Sequence, residues 1–417
     1  MSKKQTFMIV GGSLAGAKAA EELRERGFDG RVVLIGEERE RPYERPPLTK
    51  DYLRGESGRE SVFVHQEDFY RESEISLLTD TTVVAINPAM ASISLADGRE
   101  LGYDRLLLTT GAEPRRITVP GGDLAGIHYL RTLADCERLQ DRLDDAAHVA
   151  VVGAGWIGSE FAASARQSGH DVTLIDPTPL PNQRIFGTEI GTFYRDLHAQ
   201  HGVDLVLGEG VDAFERGSQL VRVRTSTGRE IDCDLAVVGI GVIPRTELAV
   251  RAGLSVDDGI RVDAALRSSD PGIFAAGDVA EAWHPFYGEC LRVEHWANAL
   301  NQGLAAGRAM LGEPPDLDDI PYFFSDQYEV GMEYSGYAPR WDEVAFRGKP
   351  EDGEFIAFWL CEGRVRAGMN VNVWDVNEQI RSLIRSRQPI DPAALTDPET
   401  PLESLIVEAA SHGQGRR

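Results

Sequence analysis

Val149-Ala150-Val151-Val152-Gly153-Ala154-Gly155-Trp156-Ile157-Gly158 is the stretch whose reading decides the fold. A short apolar run stops at a Gly-x-Gly-x-x-Gly turn, and Ser159 to Gln167 continues with helical spacing. A second apolar run, Val172 to Ile175, closes on Asp176. The pattern predicts a strand over 149–152, a turn over 153–158, a helix over 159–167 and a strand over 172–175. Such a unit suits a pyrophosphate. A helix start offers free N–H donors and the positive end of the helix dipole, and side chains in the turn would block the approach. The first glycine permits the tight turn, the second the approach, and the third close packing of helix on strand. An acid ending the second strand accepts from ribose hydroxyls.

The same plan stands near the start of the chain. Phe7 to Val10 reads as a strand, Gly11 to Gly16 as the turn, Ala17 to Arg26 as a helix, and Arg31 to Ile35 as the second strand, closed by Gly36 and Glu37. Gly11, Gly16, Ala20 and Gly27 correspond in spacing to Gly153, Gly158, Ala162 and Gly169. Ser13 stands where the second glycine is usual, and its small side chain should be tolerated. One glycine motif is weak on its own. Two copies with strand, helix and terminal acid in step predict an α/β chain with two Rossmann-like dinucleotide-binding domains.

Leu106 to Gly111 and Leu235 to Gly241 are further apolar runs into glycine, and Gly272 to Ala280 (GIFAAGDVA) follows. Beyond Pro314 the character changes, with short β-like runs such as Phe355 to Leu360 that suggest a separate α+β domain. We therefore expect a discontinuous first dinucleotide domain over 1–113 and 245–319, a second inserted over 114–244, and a C-terminal domain over 320–410. The last residues, 411–417, are expected to be disordered.

The formal net charge is −24, from 43 basic and 67 acidic residues, which argues against nucleic acid as a partner. Cys136, Cys233, Cys290 and Cys361 form no closely spaced pair, so neither a zinc pattern nor a redox dithiol is expected. Lys3 and Lys4 before an apolar run mimic a secretory signal, but Lys18, Glu21 and Glu22 follow at once, and the run is read as a buried strand and turn. No uncharged run reaches membrane-spanning length, so a cytoplasmic protein is expected, as a monomer or homodimer.

These residues resemble the FAD/NAD-linked pyridine nucleotide-disulfide oxidoreductase-like proteins, in which GIFAAGD is the second FAD motif and its aspartate, Asp278 with Gly277 before it, contacts the ribityl–phosphate part of FAD. Arg41 to Leu53 (RPYERPPLTKDYL), Glu294 to Gly303 (EHWANALNQG) and Ile320 to Gln327 (IPYFFSDQ) narrow the resemblance. They are similar to the FAD-dependent NADH:ferredoxin reductases of the putidaredoxin reductase-like group, which serve cytochromes P450 and ring-hydroxylating dioxygenases. The resemblance implies FAD contacts at Ala15, Glu37, Lys50, Val83, Arg131, Asp278 and Trp296, with Arg45, Thr110, Gly111 and His295 as additions. Gly11, Ser13, Leu14 and Gly16 join them from the first turn. The NAD side takes Gly153, Gly155, Trp156, Ile157, Gly158, Glu160, Asp176, Arg184 and Gly241. Asp176 favours NADH over NADPH, while Arg184 could accept a phosphate.

The resemblance further implies that Lys50 and Glu160 pair beside the flavin, Lys50 favouring negative charge on it and Glu160 orienting the nicotinamide. The implied reaction is hydride transfer from NADH to FAD, then single electrons to a [2Fe–2S] ferredoxin that feeds a P450 or ring-hydroxylating oxygenase. No cysteine precedes Cys136, which counts against the peroxidases and oxidases that use one near the flavin. Tyr322 and Phe324 replace two tryptophans of the group's usual stretch. The alternatives are a rubredoxin- or nitrite-reductase-linked NADH reductase, and a flavin redox sensor of the apoptosis-inducing-factor type. An acidic ferredoxin would need a local basic patch, for which Arg39, Arg41, Arg45, Arg364, Arg366, Arg381, Arg385 and Arg387 are the candidates.

Overall fold

The strand Thr6–Val10 lies at the centre of a five-stranded parallel sheet, between Arg31–Ile35 and Arg105–Leu108. Ile75–Leu78 and Ile273–Ala275 complete its two edges. This computed structural model describes residues 4–217, 220–315 and 317–406. The sheet is covered on both faces, so Phe7 to Val10 and Val32 to Ile35 are buried without alternation.

The second glycine motif repeats the arrangement. His148–Val152 is central, flanked by Asp171–Asp176 and Leu235–Val238, with Asp204–Leu207 and Ile127–His128 outside, all parallel. In each sheet the central strand runs into the glycine turn. Ala112–Pro114 and Val242–Pro244, the two stretches by which the chain leaves and re-enters the first unit, pair antiparallel.

Both glycine-turn helices begin inside the turn, at Leu14–Glu25 and Trp156–Gln167, three residues before apolar periodicity alone places them. The cause is capping chemistry. Ser13 is the N-cap of the first helix and accepts from the Gly16 N–H, while Gly155 caps the second without a side chain.

Among the described residues the chain divides into two compact units. Met1–Gln183 joins Tyr194–Asp319, and Arg184–Phe193 joins Ile320–Arg417. The second unit is a five-stranded antiparallel sheet in the order Tyr322–Gln327, Val330–Gly336, Arg364–Val371, Glu354–Cys361, Glu343–Lys349, with the helix Asn377–Ser386 beside it. Phe355 to Leu360 are all buried, because both faces of that strand are covered. Phe186 lies in one layer, fully buried among Phe323, Tyr334 and Trp359, and the Trp359 Nε1–H donates to its carbonyl at 3.0 Å. Ten residues inside the stretch read as the second dinucleotide domain thus belong to the C-terminal unit, since the large aromatic ring of Phe186 finds its burial there. Residues 411–417 lie outside the described residues.

Candidate functional site

The first glycine turn is closed by backbone contact. Gly11 has φ +124, and a Cβ there would stand 2.2 Å from the Thr109 carbonyl oxygen; one on Gly16 would stand 2.3 Å from the Gly11 carbonyl oxygen. Ser13 fills the place of the second glycine and ties the turn down, accepting from the Gly16 N–H at 3.5 Å and donating to the Thr109 carbonyl at 3.2 Å. Thr109 in turn donates from Oγ1 to Gly11 at 2.8 Å. Leu14 and Ala15 follow in the buried first turn of the helix. Gly277 meets Ala15, its added Cβ falling 3.3 Å from that of Ala15, and Gly303 packs against the Ala15 carbonyl. Gln302 accepts the Gly277 N–H at 2.9 Å.

Arg131 Nη2 pairs with Asp278 Oδ2 at 2.7 Å. Arg45 donates to the Arg131 carbonyl, and Gly111 borders the same guanidinium. Arg45 and Arg131 are enclosed by protein, yet their side chains keep 33% and 15% of their accessible surface. Groups that are both deep and solvent-reachable line a recess. Burial, then the Arg45 charge, push the Arg131 pKa below its ordinary value, with Asp278 opposing them. The Arg131 Nε–H is buried and meets no protein acceptor. Burial pushes His295 down to about 4, against Asp278. His295 is the N-cap of the helix Trp296–Leu311, whose first residue is Trp296. Val83 lies in the apolar core on the strand Val83–Asn87. Glu37, beyond the second strand, is held by Arg245, whose backbone is fastened to Thr110 and Gly111.

In the second turn, a Cβ on Gly158 would stand 1.8 Å from the Gly153 carbonyl oxygen, and one on Gly153 2.3 Å from that of Gly239. Gly155, at the helix start, faces nothing within 4 Å: the space ahead of the helix is open. Trp156 packs edge-on against Tyr194, Ile157 lies over Gly239, and Gly241 has φ +99. Asp176 braces the turn, accepting from the Ala154 N–H and the Thr178 N–H, both at 2.7 Å, and from the Thr178 hydroxyl. Arg184, on the short helix Gln183–Phe186, falls in the C-terminal unit.

Lys50 and Glu160 come together. The Arg45-Pro46-Pro47-Leu48-Thr49-Lys50 stretch folds as a 3-10 turn over Pro46–Thr49, set by its two prolines. It brings Lys50 Nζ to 2.8 Å from Glu160 Oε2, with the Thr49 hydroxyl donating to the same oxygen. Ser164, one helical turn on from Glu160, donates to the Thr49 carbonyl at 2.6 Å. Glu160 is buried and Lys50 is partly buried. The pair joins the first dinucleotide unit to the second at the head of the second helix.

At least four of the proposed docking arginines are already engaged. Arg41 stacks 3.5 Å over Phe63 and pairs with Glu60 at 2.6 Å, and Arg45 is enclosed as above. Arg381 pairs with Glu378 and Arg364 with Glu362; Arg39 is exposed. Tyr322 and Phe324 share one face of their strand, where Tyr322 donates to Glu333 at 2.7 Å. Sequence reading missed Arg245, Thr49, Thr109 and Gln302. Gln302 carried a signal, since it sits in the EHWANALNQG stretch. The four cysteines are free thiols, Cys136 and Cys233 buried, with burial pushing both up to about 12. Among the described residues no group of His, Cys, Asp and Glu is arranged to hold a metal, and no helix is long and apolar enough to cross a membrane.

Two parallel sheets, each feeding its central strand into a glycine-opened helix, with a charged pair between them, define a double dinucleotide-binding protein. The chain belongs to the pyridine nucleotide-disulphide oxidoreductase family, whose model matches residues 5–303, while residues 322–406 match a reductase C-terminal domain. It is 36% identical over 415 residues to putidaredoxin reductase of Pseudomonas putida, covering 98% of each chain. It is 39% identical over 407 residues to the anthranilate 1,2-dioxygenase system ferredoxin–NAD(+) reductase component of Burkholderia cepacia, covering 96% of this chain and 99% of that one. A chain of the covalent putidaredoxin reductase–putidaredoxin complex superposes with a TM-score of 0.92 at 36% identity, over 96% of this chain and 98% of that one.

Proposed function

We propose that this chain is an FAD-dependent NADH:ferredoxin reductase, a cytoplasmic oxidoreductase that passes electrons to a [2Fe–2S] ferredoxin serving a P450 or ring-hydroxylating oxygenase. The observation that carries it is the Lys50–Glu160 pair, which stands where a nicotinamide and a flavin would meet if each dinucleotide followed its own glycine-opened helix. The recess fits FAD. The buried Arg131 Nε–H lacks a protein acceptor, a helix N-terminus opens beside Ala15, and Glu37 stands where ribose hydroxyls are read.

In this reading residues 1–113 with 245–319 form the FAD domain, 114–244 apart from 184–193 the NAD domain, and 320–410 with 184–193 the C-terminal reductase domain. Bound FAD supplies chemistry that no side chain here has: it takes two electrons together and gives them up singly. The protein's part is position and field. The first glycine turn and Arg131 hold the FAD phosphates. Asp278 keeps Arg131 oriented, and neutral His295 adds no further positive charge to those of Arg131 and Arg45. Gly155 leaves the second helix start open to the NADH pyrophosphate, and Asp176 sets the ribose preference. Lys50 places a cation at the flavin ring, and Glu160 fixes that cation while orienting the nicotinamide. Holding both rings in register replaces a bimolecular encounter.

The test is cytochrome c reduction by NADH, with and without a [2Fe–2S] ferredoxin, and with NADPH in parallel. Ferredoxin-dependent reduction that prefers NADH is expected. Steady NADH consumption indifferent to ferredoxin would overturn the reading in favour of an oxidase, and negligible turnover in a flavin-loaded protein would favour a redox sensor.

A further inference from the structure

Glu160 Oε2 receives two donors, and they differ in kind. Lys50 Nζ stands 2.8 Å away at the end of a flexible four-carbon stem, and that side chain is only partly buried. The Thr49 hydroxyl donates to the same oxygen from a short, β-branched and buried side chain. The backbone of Thr49 is fastened as well. It closes the 3-10 turn Pro46–Thr49, and its carbonyl accepts from Ser164 Oγ at 2.6 Å. Ser164 lies four residues beyond Glu160, on the same face of the helix Trp156–Gln167, and itself accepts from Arg54 Nη1 at 3.1 Å. Thr49 is thus clamped to that helix at two points, by main chain and by side chain. The Pro46 carbonyl, the other acceptor near the hydroxyl, is neutral and stands 3.3 Å away. A hydrogen bond to an ionised acceptor is the stronger of the two.

We propose that Thr49 is a positioning residue that holds the Glu160 carboxylate for the nicotinamide of NADH independently of Lys50. The inference rests on the reading that the second glycine turn holds NADH. In that reading one carboxylate serves two groups: it fixes the lysine at the flavin, and it orients the nicotinamide. A carboxylate held only by the lysine would follow the ammonium wherever its stem moves. With Thr49 clamped to the helix, the carboxylate keeps its place and the nicotinamide meets a fixed group. The buried carboxylate also keeps a donor when the ammonium leaves it, which limits the cost of unpairing it.

The test reads binding rather than turnover. FAD-loaded wild type, Thr49→Val, Thr49→Ser, Lys50→Met and Thr49→Val/Lys50→Met are titrated calorimetrically with two ligands. One is the tetrahydro analogue of NADH, which carries the nicotinamide ring but has no hydride to give. The other is ADP-ribose, which carries the pyrophosphate and both riboses without the ring. The ratio of the two affinities isolates the ring. Wild type should prefer the ring-bearing ligand. That preference should fall by roughly ten-fold in Thr49→Val, the range of a hydrogen bond to a charged group. It should return in Thr49→Ser, survive in Lys50→Met and vanish in the double variant; Thr49→Ala serves if the valine variant does not fold. An unchanged preference in Thr49→Val overturns the proposal, as does an equal loss of both ligands, which marks Thr49 as structural only. A preference lost in Lys50→Met alone, or absent from wild type, overturns it too. A wild type that takes up neither ligand would instead sink the functional reading on which the proposal stands.

Discussion

Lys50 Nζ stands 2.8 Å from Glu160 Oε2 although the two are 110 positions apart; Glu160 is buried and Lys50 partly so. Removing one partner of a buried pair leaves the other uncompensated, at a cost of about 3–5 kcal/mol. Lys50→Met should therefore lower the melting temperature. It should also slow flavin reduction by NADH on the order of ten-fold or more, the lower edge of what one preorganised electrostatic contact supplies. FAD should be retained, because Lys50 does not hold the phosphates. Lys50→Met/Glu160→Gln should recover most of the stability and none of the rate. Stopped-flow reduction and thermal melts separate the two effects, and unchanged single-turnover kinetics in Lys50→Met would remove the lysine from the mechanism.

Gly155 and Gly158 belong to one motif but serve different ends. A methyl on Gly158 would collide with the Gly153 carbonyl at 1.8 Å, a backbone atom that cannot swing away. Gly158→Ala should lose at least the roughly 1–3 kcal/mol of an overpacked core, together with NADH binding. A methyl on Gly155 meets nothing within 4 Å, and the residue's φ of −78 suits alanine. Gly155→Ala should melt within about 1 kcal/mol of wild type, the scale of an N-cap change, and still bind NADH weakly. Equal NADH affinity in Gly155→Ala and wild type, by titration, would show that the open space is not the pyrophosphate site.

The repeat was legible because its signals are local. Buried parallel strands read as unbroken apolar runs, and Gly16 and Gly158 are each demanded by the carbonyl of the glycine five residues before them. Helix starts were misplaced by three residues because Ser13 and Gly155 cap from within the turn, where apolar spacing is silent. Arg245 could not be found by spacing, since its role depends on a carboxylate 208 positions away. Lys50 and Glu160 are also far apart, by 110 positions, and only resemblance to a family paired them.

Phe186 shows the same limit at the level of domains. Its neighbours in sequence belong to a dinucleotide-binding stretch, but its ring is fully buried against Phe323, Tyr334 and Trp359 of the C-terminal unit. Phe186→Ala should cost about 3–5 kcal/mol, the range for deleting a buried aromatic. The loss should fall on the C-terminal unit, read as earlier exposure of Trp359 to a fluorescence quencher during denaturation. A loss below about 1 kcal/mol would mean that the aromatic layer closes over the gap.

His295 gives the fold a testable pH dependence. Burial holds its pKa at about 4, below the ordinary 6.5, despite the nearby Asp278 carboxylate. The unfolded chain therefore takes up a proton between pH 6.5 and 4 that the folded chain refuses. Where the unfolded state binds more protons, stability falls as pH falls. The contribution of neutral His295 is thus complete above pH 6.5 and is lost as pH drops toward 4. A glutamine in its place has no proton to gain, so His295→Gln should lose less stability across that window than wild type. Carboxylates such as Glu22 and Glu37, held below their usual range mainly by arginine partners, also weaken the fold in acid, but equally in both proteins. The informative quantity is the difference between the two denaturation curves at pH 7, 5.5 and 4.5, with FAD saturating. A difference that stays constant over the three pH values would mean that His295 titrates alike in the folded and unfolded chains.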